Sequence, residues 1–240
     1  MPFALSPLLL GYSHHRSKTC VKRVVIPELL DTDNGTEAQV RDALNDLRRI
    51  NRWFGGVATS TALIRKISRR SNAISLDVLD VATGSGDIPA AVTATLGREG
   101  IDLRYTLVDR AITHLQGNRR AVVGDALALP FRDASFDIVS CALFVHHLEP
   151  EQATQFVREG LRVARHAVVI NDLVRSALHK ALIYVGQPLF RSHITRHDSV
   201  ASVKRSYTPR EMTDMARRAG AKNIEISRHY LYRMGVIAWR

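Results

Sequence analysis

A chain of 240 residues and 26.8 kDa suits one good-sized domain with a small cap and excludes a large multidomain enzyme. Hydrophobic content of 45% and charged content of 24% exclude wholesale disorder. The net charge of +11 raises the prior for nucleic acid, an anionic membrane surface or an acidic ligand without choosing among them. That charge is unevenly spread: residues 1–23 carry +4, residues 24–157 carry −3, and residues 158–240 carry +10. A partner drawn by positive charge is expected at the ends of the chain, not in its acidic middle.

Residues 1–23 read as a basic, poorly structured extension. The apolar run Phe3–Leu10 has no preceding basic residue and makes a poor secretory signal. Cys20 and Cys141 form neither a disulfide framework nor a CxxC site, so the reading is a reduced, cytoplasmic protein with no metal. No stretch approaches the roughly 20 apolar residues of a membrane span. Residues 24–72 are expected to form a helical cap. In it Val40, Ala43, Leu44, Leu47 and Ile50 recur at helical spacing before Gly55-Gly56, and a second helix follows over 58–70.

From residue 73 the register changes. Apolar runs at 74–81, 103–108, 122–125, 136–141 and 167–170 read as strands, with helices at 88–96 and 151–165. This alternation predicts a parallel sheet with helices on both faces. A basic insert with a helical piece of its own spans about 174–207. Beyond it come a helix at 209–219 and two strands, 223–227 and 235–239, that are expected to pair antiparallel because no helix separates them.

In an open α/β sheet, ligands bind beyond the carboxyl ends of the strands, where strand order reverses. The turn Asp80-Val81-Ala82-Thr83-Gly84-Ser85-Gly86-Asp87 falls at such an end, and Gly84 and Gly86 allow close backbone approach to a ligand. Asp87 is a good N-cap for the next helix. Asp109 ends the following strand, where a carboxylate can accept from both ribose hydroxyls. The turn lacks the third glycine of the dinucleotide fingerprint, with Pro89 in its place. A pyrophosphate there would face Asp80 and Asp87, whereas a cationic ligand such as S-adenosylmethionine (SAM) suits them. SAM is therefore the expected cofactor.

The same residues resemble motif I of the class I SAM-dependent methyltransferases, with Ala82 replacing the commonest first glycine. Asp80-Val81-Ala82 with Gly84-Ser85-Gly86-Asp87 is especially similar to the ubiquinone/menaquinone biosynthesis methyltransferases. The segment Val122–Phe131 resembles the family's next motif, and Ser135–Val139 with His146-His147-Leu148 resembles the one after. The resemblance implies a Rossmann-like α/β fold with a seven-stranded sheet, mostly parallel with an antiparallel last strand. It implies cofactor contacts from Asp80, Ala82, Thr83, Gly84, Gly86, Asp87, Asp109, Arg110, Asp125, Ala126 and Cys141, with Asp125 on the adenine amino group. The segments Asp46–Trp53, Ile170–Leu173, Thr195–Asp198 and Ser202–Thr208 resemble methyltransferases encoded beside bacterial type III polyketide synthases, which implies a phenolic or polyketide-derived acceptor.

Methyl transfer from a sulfonium is an in-line displacement, so the enzyme positions the acceptor and removes its proton. His146 and His147, just past the fourth strand, are the candidate bases, with His146 preferred; His197 beside Asp198 is another. Arg52, Arg196 and Arg205 could bind an acceptor carboxylate or phenolate. Trp53, Phe54, Leu182, Ile183, Tyr184 and Phe190 could supply apolar walls. Asn171 and Asp172 could hydrogen-bond an acceptor hydroxyl, and Cys141 is expected to line the pocket. O-methylation of a small molecule is the expected function. Carbon methylation of a quinone precursor, RNA methylation and a SAM-binding module without transfer chemistry are the alternatives. Nucleic acid is disfavoured, because Cys141-Ala142-Leu143-Phe144 lacks the Pro-Pro tetrad of base-amino methyltransferases and aromatics are only 6% of the chain. Weak association with a membrane surface is compatible with the basic ends. Acceptor, regiochemistry and oligomeric state stay open.

Overall fold

A computed structural model describes residues 21–30, 36–110 and 120–240. The expected extension therefore lies outside the described residues except for Val21–Arg23. In chain order the elements are helices α1 (Glu37–Trp53) and α2 (Gly56–Ser71), strand β1 (Ser75–Val81), α3 (Asp87–Gly97), β2 (Asp102–Asp109), β3 (Ala121–Val123) and β4 (Phe136–Ala142). They continue with α4 (Pro150–Val163), β5 (Ala164–Leu173), α5 (Ala177–Gly186), α6 (His193–Arg205), α7 (Pro209–Arg218), β6 (Asn223–His229) and β7 (Arg233–Trp239).

The seven strands form one sheet in the order β3-β2-β1-β4-β5-β7-β6. β7 runs antiparallel to both β5 and β6, and the other neighbouring pairs are parallel. The sequence order reverses between β1 and β4, which makes the carboxyl ends of these two strands the switch point. Burial on both faces explains why the central strands read as continuous apolar runs. Leu76, Val78 and Ile138 pack against Leu63, Ile64 and Ile67 of α2 and Val92 and Leu96 of α3. On the opposite face Leu79, Val81, Val139 and Cys141 pack with Phe156 and Val157 of α4 and Met212 and Met215 of α7.

Local chemistry sets the helix starts. Thr36 and Gln39 form a capping box at α1, and Thr208 and Glu211 do the same at α7. At α3 the N-cap is Gly86, with φ of +69°, and Asp87 is the first helical residue rather than the expected cap. Glycine takes that left-handed conformation without a Cβ penalty, and Asp87 still faces the positive end of the helix dipole. The insert contains two helices rather than one. Asp46 of α1 fixes it by accepting from the backbone N–H groups of Arg191 and Ser192 at 2.8 and 2.9 Å.

Residues 21–30 form an extended strap over α6 and the rim beyond β4. The N–H of Val24 donates to the Lys204 carbonyl at 3.1 Å, and the two carboxylate oxygens of Asp198 accept from Leu29 and Leu30 N–H at 2.8 and 3.0 Å. Arg23 donates to the Leu148 and Arg205 carbonyls, pairs with Glu149 at 3.0 Å, and lies over the Tyr207 ring. The cap thus comprises an extended segment as well as two helices.

Candidate functional site at the sheet's carboxyl edge

Two groups of side chains occupy this edge. The first is built on the turn after β1. Ala82, Gly84 and Gly86 all have positive φ, at +55°, +53° and +69°. A Cβ on Gly84 would meet nothing within 4 Å, so the turn presents bare backbone to open space. Ala82 adopts there a conformation costing an L-residue roughly 1–2 kcal/mol, which fits a position the related motif gives to glycine. The Gly84 N–H donates to Asp109 Oδ2 at 3.0 Å, which ties the end of β2 to the turn.

Asp80 is buried and accepts from the Ser140 hydroxyl at 2.6 Å. Burial raises its pKa to about 6, Ser140 opposes the rise, and the charges of Asp87 and Asp109 add to it. Those two carboxylates are therefore close enough to be felt. Asp87 accepts from Ser85 at 2.8 Å and from the Asn51 amide at 3.3 Å, which joins the turn to α1. Asp125 Oδ1 accepts from Leu127 N–H at 2.9 Å in the turn after β3, with Ala126 buried behind it. Arg110 is exposed. Cys141 differs from expectation: it lies in the apolar cluster on the α4–α7 face, and burial pushes its thiol well up. Strand alternation is the reason, because Ser140 takes the Asp80 face and sends Cys141 to the other.

The second group surrounds a 3-10 turn, Val145–His147. His146 is 2% exposed. Its Nδ1 lies 2.6 Å from Asp172 Oδ1, and its backbone N–H donates to Asp172 Oδ2 at 3.0 Å. On the other side of the ring, Nε2 lies 3.4 Å from Glu28 Oε1 of the strap and makes no hydrogen bond. His147 Nε2 lies 3.7 Å from Glu28 Oε2. Burial lowers the His146 pKa, but Asp172 and Glu28 outweigh it and hold the value at about 9; the same histidines hold Glu28 at about 2 against its own burial.

Other expected acceptor ligands have structural partners. Arg205 is buried and donates to the His146 and His147 carbonyls at 3.1 and 3.0 Å. Arg196 donates to the Phe190 carbonyl at 3.0 Å, and Arg52 lies over the exposed Trp53 ring. His197 does meet Asp198, at 2.8 Å, but Asp198 also holds the strap. Asn171 donates to the Gly56 carbonyl and the Ser60 hydroxyl, so it joins β5 to α2. Sequence reasoning missed Glu28 and the fully buried Arg233, whose guanidinium donates to Asn171 at 3.4 Å and Asn51 at 3.2 Å. An acid amid apolar neighbours in Ile26-Pro27-Glu28-Leu29-Leu30 was the available signal for Glu28.

Residues 78–167 match a family model described as a methyltransferase domain. A demethylmenaquinone methyltransferase from Roseiflexus sp. (strain RS-1) is 33% identical over 91 residues, which are 36% of this chain. The match spans only 37% of that relative's own length. Among solved structures, the plantazolicin methyltransferase BpumL in complex with SAH superposes with a TM-score of 0.64 at 12% identity, covering 89% of this chain and 95% of that one. An O-methyltransferase family protein from Burkholderia thailandensis superposes with a TM-score of 0.60 at 18% identity, covering 85% and 60% respectively. The glycine turn at the switch point, Asp80–Asp87, lies within residues 78–167, the segment similar to a methyltransferase domain, and the sheet order with its antiparallel β7 is compatible with the fold of the solved methyltransferases.

Proposed function

We propose that this chain transfers a methyl group from SAM to a small-molecule acceptor, on a hydroxyl oxygen of a phenolic or polyketide-derived compound. The acid-lined glycine turn carries this reading. Asp80, Asp87 and Asp109 put negative charge beside an exposed stretch of backbone, which repels a pyrophosphate and attracts an ammonium or sulfonium group. When bound, SAM supplies an electrophilic methyl group. Gly84 and Gly86 let the backbone approach it closely, Asp109 accepts from ribose hydroxyls, Asp125 and Ala126 flank the adenine, and Asp80 balances the amino-acid ammonium.

The acceptor lies across the switch point, under α1 and the insert. Large apolar side chains exposed on these elements, including Trp53, Leu182 and Tyr184, suit an aromatic ring. Methylation of a ring carbon is the second reading, favoured by the Roseiflexus relative, whose name assigns it to demethylmenaquinone. Both readings place the reaction on a cytoplasmic small molecule rather than on nucleic acid. Among the described residues no helix is long and apolar enough to cross a membrane.

Calorimetry with SAM and with NAD, followed by a screen of phenolic acceptors with methyl-labelled SAM, tests the proposal. SAM binding and a labelled product are expected, and the labelled atom distinguishes oxygen from carbon transfer. Tight NAD binding with no SAM binding would overturn the cofactor assignment, and SAM binding without any labelled product would leave a binding module.

A further inference from the structure

The cluster joining the strap to the rim has the chemistry of a metal site. We infer that Glu28, His146 and His147 bind one divalent cation of the zinc class, which clamps the strap 21–30 onto the turn after β4. Their three ligand atoms lie within 4.8 Å of one another. Glu28 Oε1 to His146 Nε2 is 3.4 Å and Glu28 Oε2 to His147 Nε2 is 3.7 Å, both long for a hydrogen bond. Two ligands bound to zinc at about 2.0–2.1 Å in tetrahedral geometry stand roughly 3.3–3.4 Å apart. The shorter separation matches that edge, and the three atoms as a set, spread over up to 4.8 Å, draw together by up to about 1.4 Å when an ion binds.

The ring orientation is independent support. Asp172 holds Nδ1 of His146, so an incoming ion displaces the Nε2 proton and takes the lone pair of that buried atom, which makes no hydrogen bond. A carboxylate on one ring nitrogen with a metal on the other is the usual outer-shell arrangement of a metal-bound histidine. The charges also allow a cation. Arg205 stands 3.6 Å from Glu28 Oε1, but Glu28 and Asp172 together outnumber it. Two imidazoles and one carboxylate favour zinc-like ions over magnesium, which prefers oxygen ligands. Three protein ligands leave a fourth position for water. Glu28 also accepts from the Ser202 hydroxyl at 2.8 Å, so the carboxylate is oriented before any ion arrives.

The sequence alone points to no metal because Glu28 lies 118 residues before the adjacent His146-His147 pair and shares no spacing motif with it. The test uses the full chain, incubated with Zn²⁺, desalted and assayed by plasma mass spectrometry, with Mg²⁺ in parallel. About one tightly held zinc per chain and no retained magnesium are expected. Co²⁺ should give the intense visible band of a tetrahedral site. Glu28→Gln and His147→Ala should each abolish retention, and Asp172→Asn should weaken it about 10- to 100-fold. Zinc should also slow amide exchange in residues 21–30 of the parent chain. His147 is only half-buried, so its variant tests the site even where others fail to fold. No retained zinc, or retention unchanged in both Glu28→Gln and His147→Ala, would overturn the inference. SAM calorimetry on the same samples keeps the outcome separate from the methyltransferase reading: a chain that binds SAM but retains no zinc loses only the metal site.

Discussion

The turn after β1 and the cluster beneath the strap occupy the same edge of one sheet, yet they are assembled in opposite ways. The turn takes most of its groups from eight consecutive residues, Asp80–Asp87, and reaches outside to Asp109, Ser140 and Asn51. The cluster draws Glu28, His146, Asp172 and Arg205 from four separate segments. A contiguous turn is specified by local backbone needs, so its chemistry survives modest changes in packing. A cluster with members from four segments depends on all of them staying docked, and each buried charge there relies on its partners.

The largest expected effect falls on the cluster. Asp172→Ala leaves His146 beside one carboxylate instead of two and strips the acceptor from two backbone N–H groups. Breaking such a buried pair costs about 3–5 kcal/mol, read from the urea midpoint of unfolding. A loss below about 1 kcal/mol would show that the cluster is no more interdependent than a surface pair. In the turn, Asp109→Ala should leave stability nearly intact but weaken SAM binding roughly 100-fold in calorimetry, since charge-assisted hydrogen bonds are each worth about 1.5–3 kcal/mol.

Asp198→Ala separates the strap from the rest of the cluster. It removes the acceptor for Leu29 and Leu30 N–H, so exchange of those two amides should accelerate while core strands stay protected. Uniform acceleration throughout the protein would mean that strap and core open as one unit.

The turn should respond to pH through Asp80, whose pKa of about 6 in the folded chain lies above the ordinary carboxylate value because it is buried. A cationic ligand favours the ionised form, so SAM affinity should be constant above this value and fall by up to about tenfold per unit as pH drops through it. Asp80→Asn should flatten that profile, and an unchanged profile would remove Asp80 from cofactor binding. The smallest effect serves as a baseline. Arg65→Ala breaks an exposed pair with Glu99 and should barely move the urea midpoint, with any shift vanishing at high salt.

The excess positive charge takes on a different meaning in three dimensions. Several basic residues of the second half hold the fold together: Arg162 pairs with Asp133 and Glu159, Arg175 pairs with Glu211, and Arg205 and Arg233 are buried. These side chains cannot form a continuous basic surface, and Arg205 is committed to the carbonyls of the His146–His147 turn.

Much of this architecture is legible in the sequence alone. Continuous apolar runs mark the buried parallel strands, closely spaced glycines mark the turn after β1, and capping residues mark the helix starts, because each depends on neighbours a few residues away. The order of the strands confirms what alternation predicts. Only the tertiary structure decides that Cys141 faces the core, that Asn171 donates to the Gly56 carbonyl and Arg205 to those of His146 and His147, and that Glu28 reaches His146 across 118 residues of chain. Pairings at that separation follow from how helices and strap dock on the sheet, and docking is set by packing and burial over the whole molecule rather than by local spacing.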